Sequence, residues 1–445
     1  MSELQKTTNR RNFLKGSATA AAGAALVGSL NIGRVAHAQG SEQIKAVLVG
    51  CGGRGNGAMN DSFNADPAVR CIAVADAFAD RAQNTAGRLR KDFADRVDLP
   101  EERVFSGLDA YQKAIDLGAD LLITATPPGF RPYVYAAAIK AGMHVFMEKP
   151  CCVDAPGFNI LQAANKMADE KGLKVGVGFQ RRHTPSYVET IKRIHDGAIG
   201  KLTLLRAYWN GGGIWNRARV EGMSEMEYQV SNWYHFCWLS GDNICEQHIH
   251  NLDVCNWAML PNCGNDPQAA HPVEANGMGA CTLRYKGNTK GTGQIFDTHF
   301  VEFTYADGTK MFSQCRHIPA TWSYVGEGLH GTLGTSNPSG SIEGENAWRF
   351  RGDNINSMVQ EHKDLIAAIR SGEKFNEGWH GAASSMTAVL GRMATYSGNI
   401  VKWDEAVAKG TTEYPSNLAW DAPAPVALDA NGDYPIPIPG VYKAY

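Results

Sequence analysis

The sequence predicts an α/β protein in which a doubly wound parallel sheet precedes a second domain of different construction. Up to about residue 180, short runs of β-branched and aliphatic residues alternate with helical patterns, which is typical of a parallel sheet covered on both faces. The first run ends in a glycine-rich turn, "VGCGGRGNGAM" at 49–59. Beyond residue 180 the pattern changes to longer strands joined by hairpin turns. The sequence therefore predicts a parallel sheet first and a hairpin-bearing sheet second.

The first 38 residues have the features of an export signal. An arginine pair, Arg10-Arg11, is followed by F-L-K, an alanine-rich apolar run and the tripeptide A-H-A that ends at Ala38. These are the n-region, h-region and cleavage site of a signal peptide. The arginine pair predicts the twin-arginine (Tat) pathway, cleavage after Ala38 and a periplasmic location. A frayed N-terminal helix is the alternative, which the coincidence of the three features disfavours.

Composition limits the classes of partner. The net charge is −2 and 20% of the residues are charged, which favours neither nucleic acid nor an acidic membrane surface. No stretch of the mature chain reaches the roughly 18 apolar residues of a membrane span. The ten cysteines contain no C-x-x-C pair, so we expect mostly buried thiols. The mature chain, about 400 residues long, is expected to form two or three domains.

The glycine-rich turn has the spacing of a phosphate-binding loop. It follows the predicted strand 44–50, and Gly50, Gly52 and Gly55 match G-x-G-x-x-G, with Gly53 and Arg54 inside the loop. The first glycine allows the tight turn, the second lets a pyrophosphate approach the backbone, and the third allows the next helix to pack closely. We expect that helix over 57–65, with its N-terminus facing the phosphate charge.

The second strand, 69–77, ends near an acidic residue at the distance that a dinucleotide site requires. Asp76 lies about twenty residues beyond the glycines, where a carboxylate binds the ribose hydroxyls. A carboxylate there repels a 2′-phosphate, so NAD is predicted and NADP is disfavoured. The alternative is that Asp76 caps the following helix.

The next strands bring further polar residues to the same edge of the sheet. Strand 121–128 ends in a turn with Thr126 and Pro127, and strand 144–150 ends in Glu148-Lys149-Pro150. A helix is predicted over 131–142, and a sixth strand lies within 168–183. Ligands of such sheets bind beyond the carboxyl ends of the strands. The glycines, Asp76, Thr126, Pro127, Glu148 and Lys149 are therefore the predicted cofactor-binding residues.

These motifs, together with M-E-K-P, "GFQRRHTPSY" and "ICEQHIHNLDVCNWAM", resemble the Gfo/Idh/MocA oxidoreductases over residues 44–404. The resemblance implies a Rossmann domain over 41–179 and an α/β domain with an open, mostly antiparallel sheet over 180–410. It also implies a homo-oligomer, a dimer or a tetramer, and an NAD cofactor that is tightly bound.

The second half contains strands, two helices and an arm. A strand is predicted over 200–212, hairpin strands over 275–285 and 299–318, and helices over 358–372 and 384–398. Residues 411–445 are rich in proline, aspartate and glycine, which predicts an extended arm over the surface or a neighbouring subunit.

A polar cluster in the second half is the candidate catalytic segment. Glu246, His250 and Asp253 are spaced by four and three residues, which places them on one face if the segment is a single helix. By the resemblance, His250 is the acid/base for a substrate hydroxyl and Lys149 hydrogen-bonds the same hydroxyl. Glu246 occupies the place of an aspartate in the family motif, which leaves its role open.

Two other interpretations of this cluster remain. His248 and His250 with Glu246 resemble a metal ligand set, but histidines two apart on a helix point to different faces, and no metal is predicted. A purely structural polar helix is the second. We also expect Arg181, His183, Tyr187 and Asp253 to bind substrate at the domain junction. Aromatic faces stack on sugars, and the candidates are Trp209, Trp215, Trp233, Tyr234 and Trp238.

The predicted function is hydride transfer between NAD and a hydroxyl-bearing carbon of a sugar, cyclitol or sugar derivative. The alternative is an NAD-dependent glycoside hydrolase, resembling glycoside hydrolase family 109, in which transient C3 oxidation permits elimination, hydration and re-reduction. A non-catalytic sugar-binding protein on the same fold is the third possibility. The predicted partners are a sugar or glycoside and the Tat machinery.

Overall fold

The computed structural model of the chain describes residues 43–283 and 292–445. The predicted signal peptide at 1–38, and the end of the predicted strand at 275–285, lie outside the described residues. None of the helices within these two ranges is long and apolar enough to cross a bilayer.

The first sheet has six parallel strands in the order β3-β2-β1-β4-β5-β6. Both faces are covered, so its strands are short apolar runs; all but one residue of the first strand is buried. The parallel sheet predicted from the alternating pattern is confirmed. The strands are β1 Ile44–Val49, β2 Val69–Asp76, β3 Val104–Ser106, β4 Leu121–Thr124, β5 His144–Met147 and β6 Val175–Val177.

Helices cover the first sheet. The helix after the glycine loop begins at Gly53, four residues before the predicted start. Three of the first five residues of α1 are glycines, and glycine is a poor helix former, so the sequence pattern does not reveal this start. The helices are α1 Gly53–Ala65, α2 Ala79–Asp92, α3 Ala110–Ile115, α4 Arg131–Ala141 and α5 Ala155–Glu170.

The second sheet has nine strands in the order β14-β13-β12-β11-β7-β10-β9-β8-β15 among the described residues. Its pairs are antiparallel except that β7 and β10 run parallel. The predicted D-G hairpin is formed by β9 and β10. The strands are β7 Leu202–Gly211, β8 Glu274–Ala280, β9 Thr298–Thr304, β10 Lys310–His317, β11 Tyr324–Gly331, β12 Gly334–Asn337, β13 Ser341–Gly344, β14 Trp348–Arg349 and β15 Val401–Lys402.

One helix of the second half returns to the first sheet. In α11, His362 stacks on Phe146 of β5 with ring centroids 4.0 Å apart, and Leu365 is buried in the core beneath that sheet. Residues after 180 therefore complete the first layer as well as the second. The helices are α6 Pro185–His195, α7 Glu225–Ser231, α8 Cys237–Ser240, α9 Asn243–Glu246, α10 Ile249–Ala258, α11 Ser357–Ser371, α12 Gly378–Ser397 and α13 Trp403–Lys409.

The C-terminal arm, residues 411–445, contains no helix or strand and lies on its own chain. Tyr414 stacks on Tyr133 of α4 with centroids 4.2 Å apart, and Tyr434 packs edge-on against Phe236 at 4.9 Å. The arm therefore contacts both halves of the molecule. All ten cysteines are free thiols and eight of them are buried, as expected from the sequence.

Candidate active site

Three glycines shape the turn between β1 and α1. Gly50 has a φ of +95°, and a Cβ there would lie 2.7 Å from the carbonyl carbon of Ala125. A Cβ on Gly55 would lie 1.8 Å from the carbonyl oxygen of Gly50. A Cβ on Gly52, in contrast, would meet nothing within 4 Å. Two glycines are thus required by packing, and the third borders open space that a ligand can approach.

The start of α1 can receive an anion. Gly52 is its N-cap, no side chain caps its first N–H groups, and its first turn holds no acidic residue. Uncapped N–H groups at a helix N-terminus stabilise phosphate charge. This turn therefore fits the pyrophosphate of a dinucleotide.

Asp76 lies beside the turn. Its Oδ2 accepts a hydrogen bond from the Cys51 N–H at 2.7 Å, and its Oδ1 accepts one from the Phe78 N–H at 2.9 Å. Burial raises the pKa of Asp76, and these two hydrogen bonds act in the opposite direction. The N-cap of α2 is Phe78, so Asp76 is not the helix cap. The carboxylate holds the glycine turn in place and keeps lone pairs for a ribose.

A pocket, here called the glycine-loop pocket, opens over the carboxyl ends of β1, β2 and β4. Its walls include Gly50, Gly52, Asp76, Thr126, Pro127 and Trp233. A second, the lysine pocket, includes Arg54, Glu148, Lys149, Glu246, His250, Glu361 and again Trp233. Because Trp233 belongs to both walls, the two pockets adjoin. The predicted cofactor residues are thus divided between the two pockets. The glycine-loop pocket has Gly50, Gly52, Asp76, Thr126 and Pro127, and the lysine pocket has Arg54, Glu148 and Lys149 beside the predicted catalytic residues; Gly53 and Gly55 lie in α1 and line neither pocket.

Lys149 and Glu246 form a buried ion pair. The Lys149 Nζ lies 3.2 Å from the Glu246 Oε1 and also donates a hydrogen bond to the Glu246 carbonyl oxygen. Burial raises the pKa of Glu246, and the charges of Lys149 and Arg131 oppose that rise. The pair fixes the ammonium group at the wall of the lysine pocket.

His250 presents a neutral imidazole. Its ring stacks on Trp209 with centroids 6.0 Å apart, and Phe179 packs edge-on at 6.2 Å. Burial lowers the pKa of His250 well below its usual value, and the positive charges of Lys149 and Arg181 lower it further. A neutral imidazole at neutral pH can accept a proton.

The candidate catalytic segment is not one continuous helix, which corrects the prediction from the sequence. Glu246 ends α9 and His250 lies in α10, with a break at Gln247 and His248. At the break the His250 N–H bonds to the Gln247 carbonyl, three residues back instead of four. His248 points to the second sheet, where its Nε2 lies 2.7 Å from the Ser313 Oγ.

His248 and His250, which are two residues apart, therefore point in different directions, as their spacing predicts. Among residues 43–283 and 292–445, no group of three or more His, Cys, Asp or Glu side chains could hold a metal ion.

Arg54 and Glu148 close one wall of the lysine pocket. The Arg54 Nε lies 2.7 Å from the Glu148 Oε1, and its Nη2 lies 2.7 Å from the Asp61 Oδ2. Arg54 lies in the first turn of α1, within the G-x-G-x-x-G motif, and Glu148 directly follows β5, so this ion pair joins the two predicted cofactor motifs.

The four predicted substrate residues do not line the lysine pocket, and each has a protein partner. Asp253 forms a bidentate ion pair with Arg182, with both distances 2.8 Å. The Arg181 guanidinium pairs with Glu327, and the Tyr187 hydroxyl lies 3.2 Å from the same carboxylate. Contact with substrate stays a prediction for these residues, and their observed role is to hold the junction together.

Sequence reasoning missed several residues of the lysine pocket. Arg131 is one of them and is buried at the start of α4, whereas Trp233, in a short 3₁₀ helix, was among the aromatic candidates named from the sequence. Met358 and Glu361 come from α11, more than 100 residues after His250. A glutamate within a predicted amphipathic helix could have drawn attention to Glu361, but the neighbouring sequence does not show what this helix packs against.

His183 holds α11 in place. Its Nδ1 lies 2.6 Å from the Asp364 Oδ2 and its Nε2 lies 3.0 Å from the Glu377 Oε1. Burial alone would lower the pKa of His183, but the charge of Glu377 and the hydrogen bond to Asp364 outweigh it and raise that pKa from 6.5 to about 10. His183 is thus an imidazolium in the folded protein.

Replacing His183 by glutamine is expected to lower the free energy of unfolding by about 2–4 kcal/mol near pH 6. Because the folded pKa is raised, the stabilisation is fully present below about pH 6.5 and is lost as the pH rises through about 10. Urea unfolding of both proteins from pH 6 to 10 measures it. A difference that stays constant over this range would contradict the assignment.

Parts of the chain are similar to known proteins. Residues 44–179 match the model of the Gfo/Idh/MocA oxidoreductase family, NAD-binding Rossmann fold, and residues 7–27 match the twin-arginine translocation signal sequence. The NAD(+)-dependent scyllo-inositol 2-dehydrogenase of Bacillus subtilis is 27% identical over 217 residues, which is 49% of this chain and 54% of that protein. The inositol 2-dehydrogenase of Rhizobium meliloti is 31% identical over 144 residues, 32% of this chain and 38% of that protein.

The chain thus spans about half or less of the length of these curated relatives. Among solved structures, the aldose-aldose oxidoreductase from Caulobacter crescentus superposes with a TM-score of 0.61 and 17% identity, over 81% of this chain and 99% of that one. At this identity the likeness concerns the fold, and it extends over both sheets. Residues 44–179 are thus similar to the NAD-binding Rossmann domain of the Gfo/Idh/MocA oxidoreductase family, and residues 7–27 are similar to a Tat signal sequence.

Proposed function

We propose that the protein is an NAD-dependent oxidoreductase that transfers a hydride between the nicotinamide and a hydroxyl-bearing carbon of a sugar or cyclitol. The observation that carries the proposal is that Lys149, Glu246 and His250 share one pocket that adjoins the glycine-loop pocket. The curated relatives named above are inositol dehydrogenases, which supports a polyol substrate. NAD held in the glycine-loop pocket would supply the hydride acceptor for oxidation and the hydride donor for the reverse direction.

The residues of the glycine-loop pocket fit NAD. The open space at Gly52 and the uncapped start of α1 fit the pyrophosphate, and Asp76 fits the adenosine ribose. A 2′-phosphate would meet the carboxylate of Asp76. NAD is therefore the proposed cofactor in preference to NADP.

His250 is the proposed acid/base. The neutral imidazole accepts the proton of a substrate hydroxyl as the carbon loses its hydride, and returns it in the reverse direction. The Lys149 ammonium, fixed by Glu246, donates a hydrogen bond to the same oxygen and stabilises negative charge that develops there. Glu246 orients Lys149, which is the role proposed for the carboxylate of this segment.

We propose further that the cofactor is tightly bound, because the C-terminal arm bridges the two walls of the glycine-loop pocket. On the Rossmann wall, Trp420 packs on Phe78 at 5.3 Å and Tyr414 packs on Phe130 at 6.0 Å. On the other wall, the segment 224–233, which carries Val230 and Trp233, is bonded to the arm by Ser224 and Gln229. Opening the pocket would break these contacts.

Replacing Trp420 by alanine is expected to speed NAD dissociation by up to about tenfold, since an aromatic contact of about 0.5–1.5 kcal/mol is lost from the arm. The measurement is the rate at which purified protein loses nucleotide during dilution. Ile438, an exposed arm residue, gives the matched control I438A, which should release NAD at the wild-type rate. Equal retention by W420A and wild type would refute the role of the arm.

The proposed function is tested by incubating the purified protein with sugars, inositols and aryl glycosides. Accumulation of NADH with a polyol supports the dehydrogenase. Release of aglycone without net change at 340 nm would support the hydrolytic cycle, which the enclosed cofactor also suits, since NAD is regenerated in place. Absence of both reactions from a protein loaded with NAD would contradict the proposal.

The Tat signal supports export of the folded, loaded protein to the periplasm, with the Tat machinery as a transient partner. A homo-oligomer, a dimer or a tetramer, is also proposed. Large apolar side chains on the second sheet and in the loop before β11, such as Met278 and Trp322, are exposed in the single chain, which supports a subunit contact there. Light scattering of the purified protein gives its mass.

A further inference from the structure

The lysine pocket contains a third carboxyl group that the proposed chemistry does not use. Glu361 lies on α11, with only 2% of its surface exposed, and its side chain lines the pocket. Met358, one helical turn earlier, lines the same pocket. Hence α11 presents one face to the ligand space, and Glu361 is its polar member.

Glu361 differs from the other carboxyl groups of the pocket. Glu148 is paired with Arg54 and Glu246 is paired with Lys149. Within the described chain, in contrast, no cation lies at ion-pair distance from Glu361, and its buried Oε2 has no hydrogen-bond partner. A buried polar atom without a partner costs about 1–3 kcal/mol. A hydrogen-bond partner from a bound ligand would remove this cost.

The charges around Glu361 determine its protonation. Burial raises the pKa of Glu361 well above its usual value, and the nearby Glu148 raises it further; His183, Arg54 and Glu377 are the other charged groups that act on it. A neutral carboxyl group can both donate and accept a hydrogen bond. It suits a ligand group with the same capacity, which a hydroxyl or a carboxamide has.

We propose that Glu361 is a ligand-binding residue of the lysine pocket, whose carboxyl group hydrogen-bonds a hydroxyl or an amide of the bound ligand. Resting on the proposed function, this group is either a hydroxyl of the polyol or the carboxamide of the nicotinamide. Both groups can donate and accept a hydrogen bond. They are distinguished by which ligand, the polyol or NAD, binds more weakly when Glu361 is changed.

The test compares E361Q and E361L with wild type, all isolated as holoenzyme. Two quantities are measured: the dissociation rate of bound NAD, and the Kd for myo-inositol by calorimetry. Glutamine keeps a neutral group that donates and accepts, whereas leucine keeps only the volume. The matched control is E373Q, which changes an exposed glutamate just beyond the end of α11.

We expect E361L to weaken one ligand by about 10- to 100-fold while the other changes little, and E361Q to stay within about threefold of wild type. A changed Kd for myo-inositol identifies the polyol, and faster loss of NAD identifies the carboxamide. If E361L is folded, as shown by its thermal midpoint, and binds both ligands as wild type does, the inference is wrong. If wild type itself binds neither ligand, the proposed function fails first, and this inference fails with it.

Discussion

Replacing His250 by glutamine is expected to lower kcat for polyol oxidation by about 10²–10⁴-fold, because the substrate hydroxyl loses its proton acceptor. Nucleotide content should be unchanged, since His250 does not line the glycine-loop pocket. Stopped-flow measurement of NADH formation with a saturating polyol separates the chemical step from binding.

The matched control for this variant is H330Q. His330 lies on β11 and lines neither the glycine-loop pocket nor the lysine pocket. It should leave kcat within about twofold of wild type. Near-wild-type turnover by H250Q would remove His250 from the mechanism and leave Lys149 as the candidate proton donor and acceptor.

Two alanine substitutions in the glycine turn are expected to have opposite signatures. In G55A the new methyl group meets the Gly50 carbonyl oxygen, which lies 1.8 Å from the ideal Cβ position. We expect a loss of about 2–4 kcal/mol in the free energy of unfolding and a loss of bound nucleotide. In G52A the methyl group has free space within the protein. We expect nearly unchanged stability but NAD binding weakened by about 100-fold, roughly 2.7 kcal/mol.

The comparison is made by urea unfolding and by nucleotide content. Gly87, a helical glycine of α2 whose Cβ would also meet nothing within 4 Å, supplies the control G87A. This change should stabilise the protein by about 0.5–1 kcal/mol, since alanine favours a helix. If G52A binds NAD as tightly as wild type, the pyrophosphate does not approach the backbone at this turn.

The sequence was sufficient for the Rossmann half because its signals are local. Each strand is a short apolar run whose end can be located in the sequence. The residues at that end then lie at the carboxyl edge of the sheet. The positions of Gly50 and Asp76 at this edge could therefore be predicted from the sequence alone. The predicted start of α1 was wrong because the glycines that allow a close approach to the backbone also have a low helix propensity.

The candidate catalytic segment could be located from the sequence, but its geometry could not. Spacing predicted one helix, whereas a bond from His248 to Ser313, 65 residues away, accompanies the break before α10. The ion pair of Asp253 could not be predicted, because its partner, Arg182, lies 71 residues earlier and forms no local pattern with it. Glu361 and the contacts of the arm are long-range features of the same kind, fixed by packing between distant segments.

The central claim, hydride transfer to a nucleotide held between the glycine turn and His250, is tested most directly by isotope transfer. The purified protein is incubated with carbon-deuterated myo-inositol and glucose, the nucleotide is extracted, and its mass is measured. Because the nucleotide is read directly, the assay does not depend on cofactor release. We expect NAD in the purified protein and deuterium in its nicotinamide after a single turnover, with the transfer strongly reduced in H250Q. Nucleotide that never gains deuterium, or equal transfer by H250Q, would contradict it.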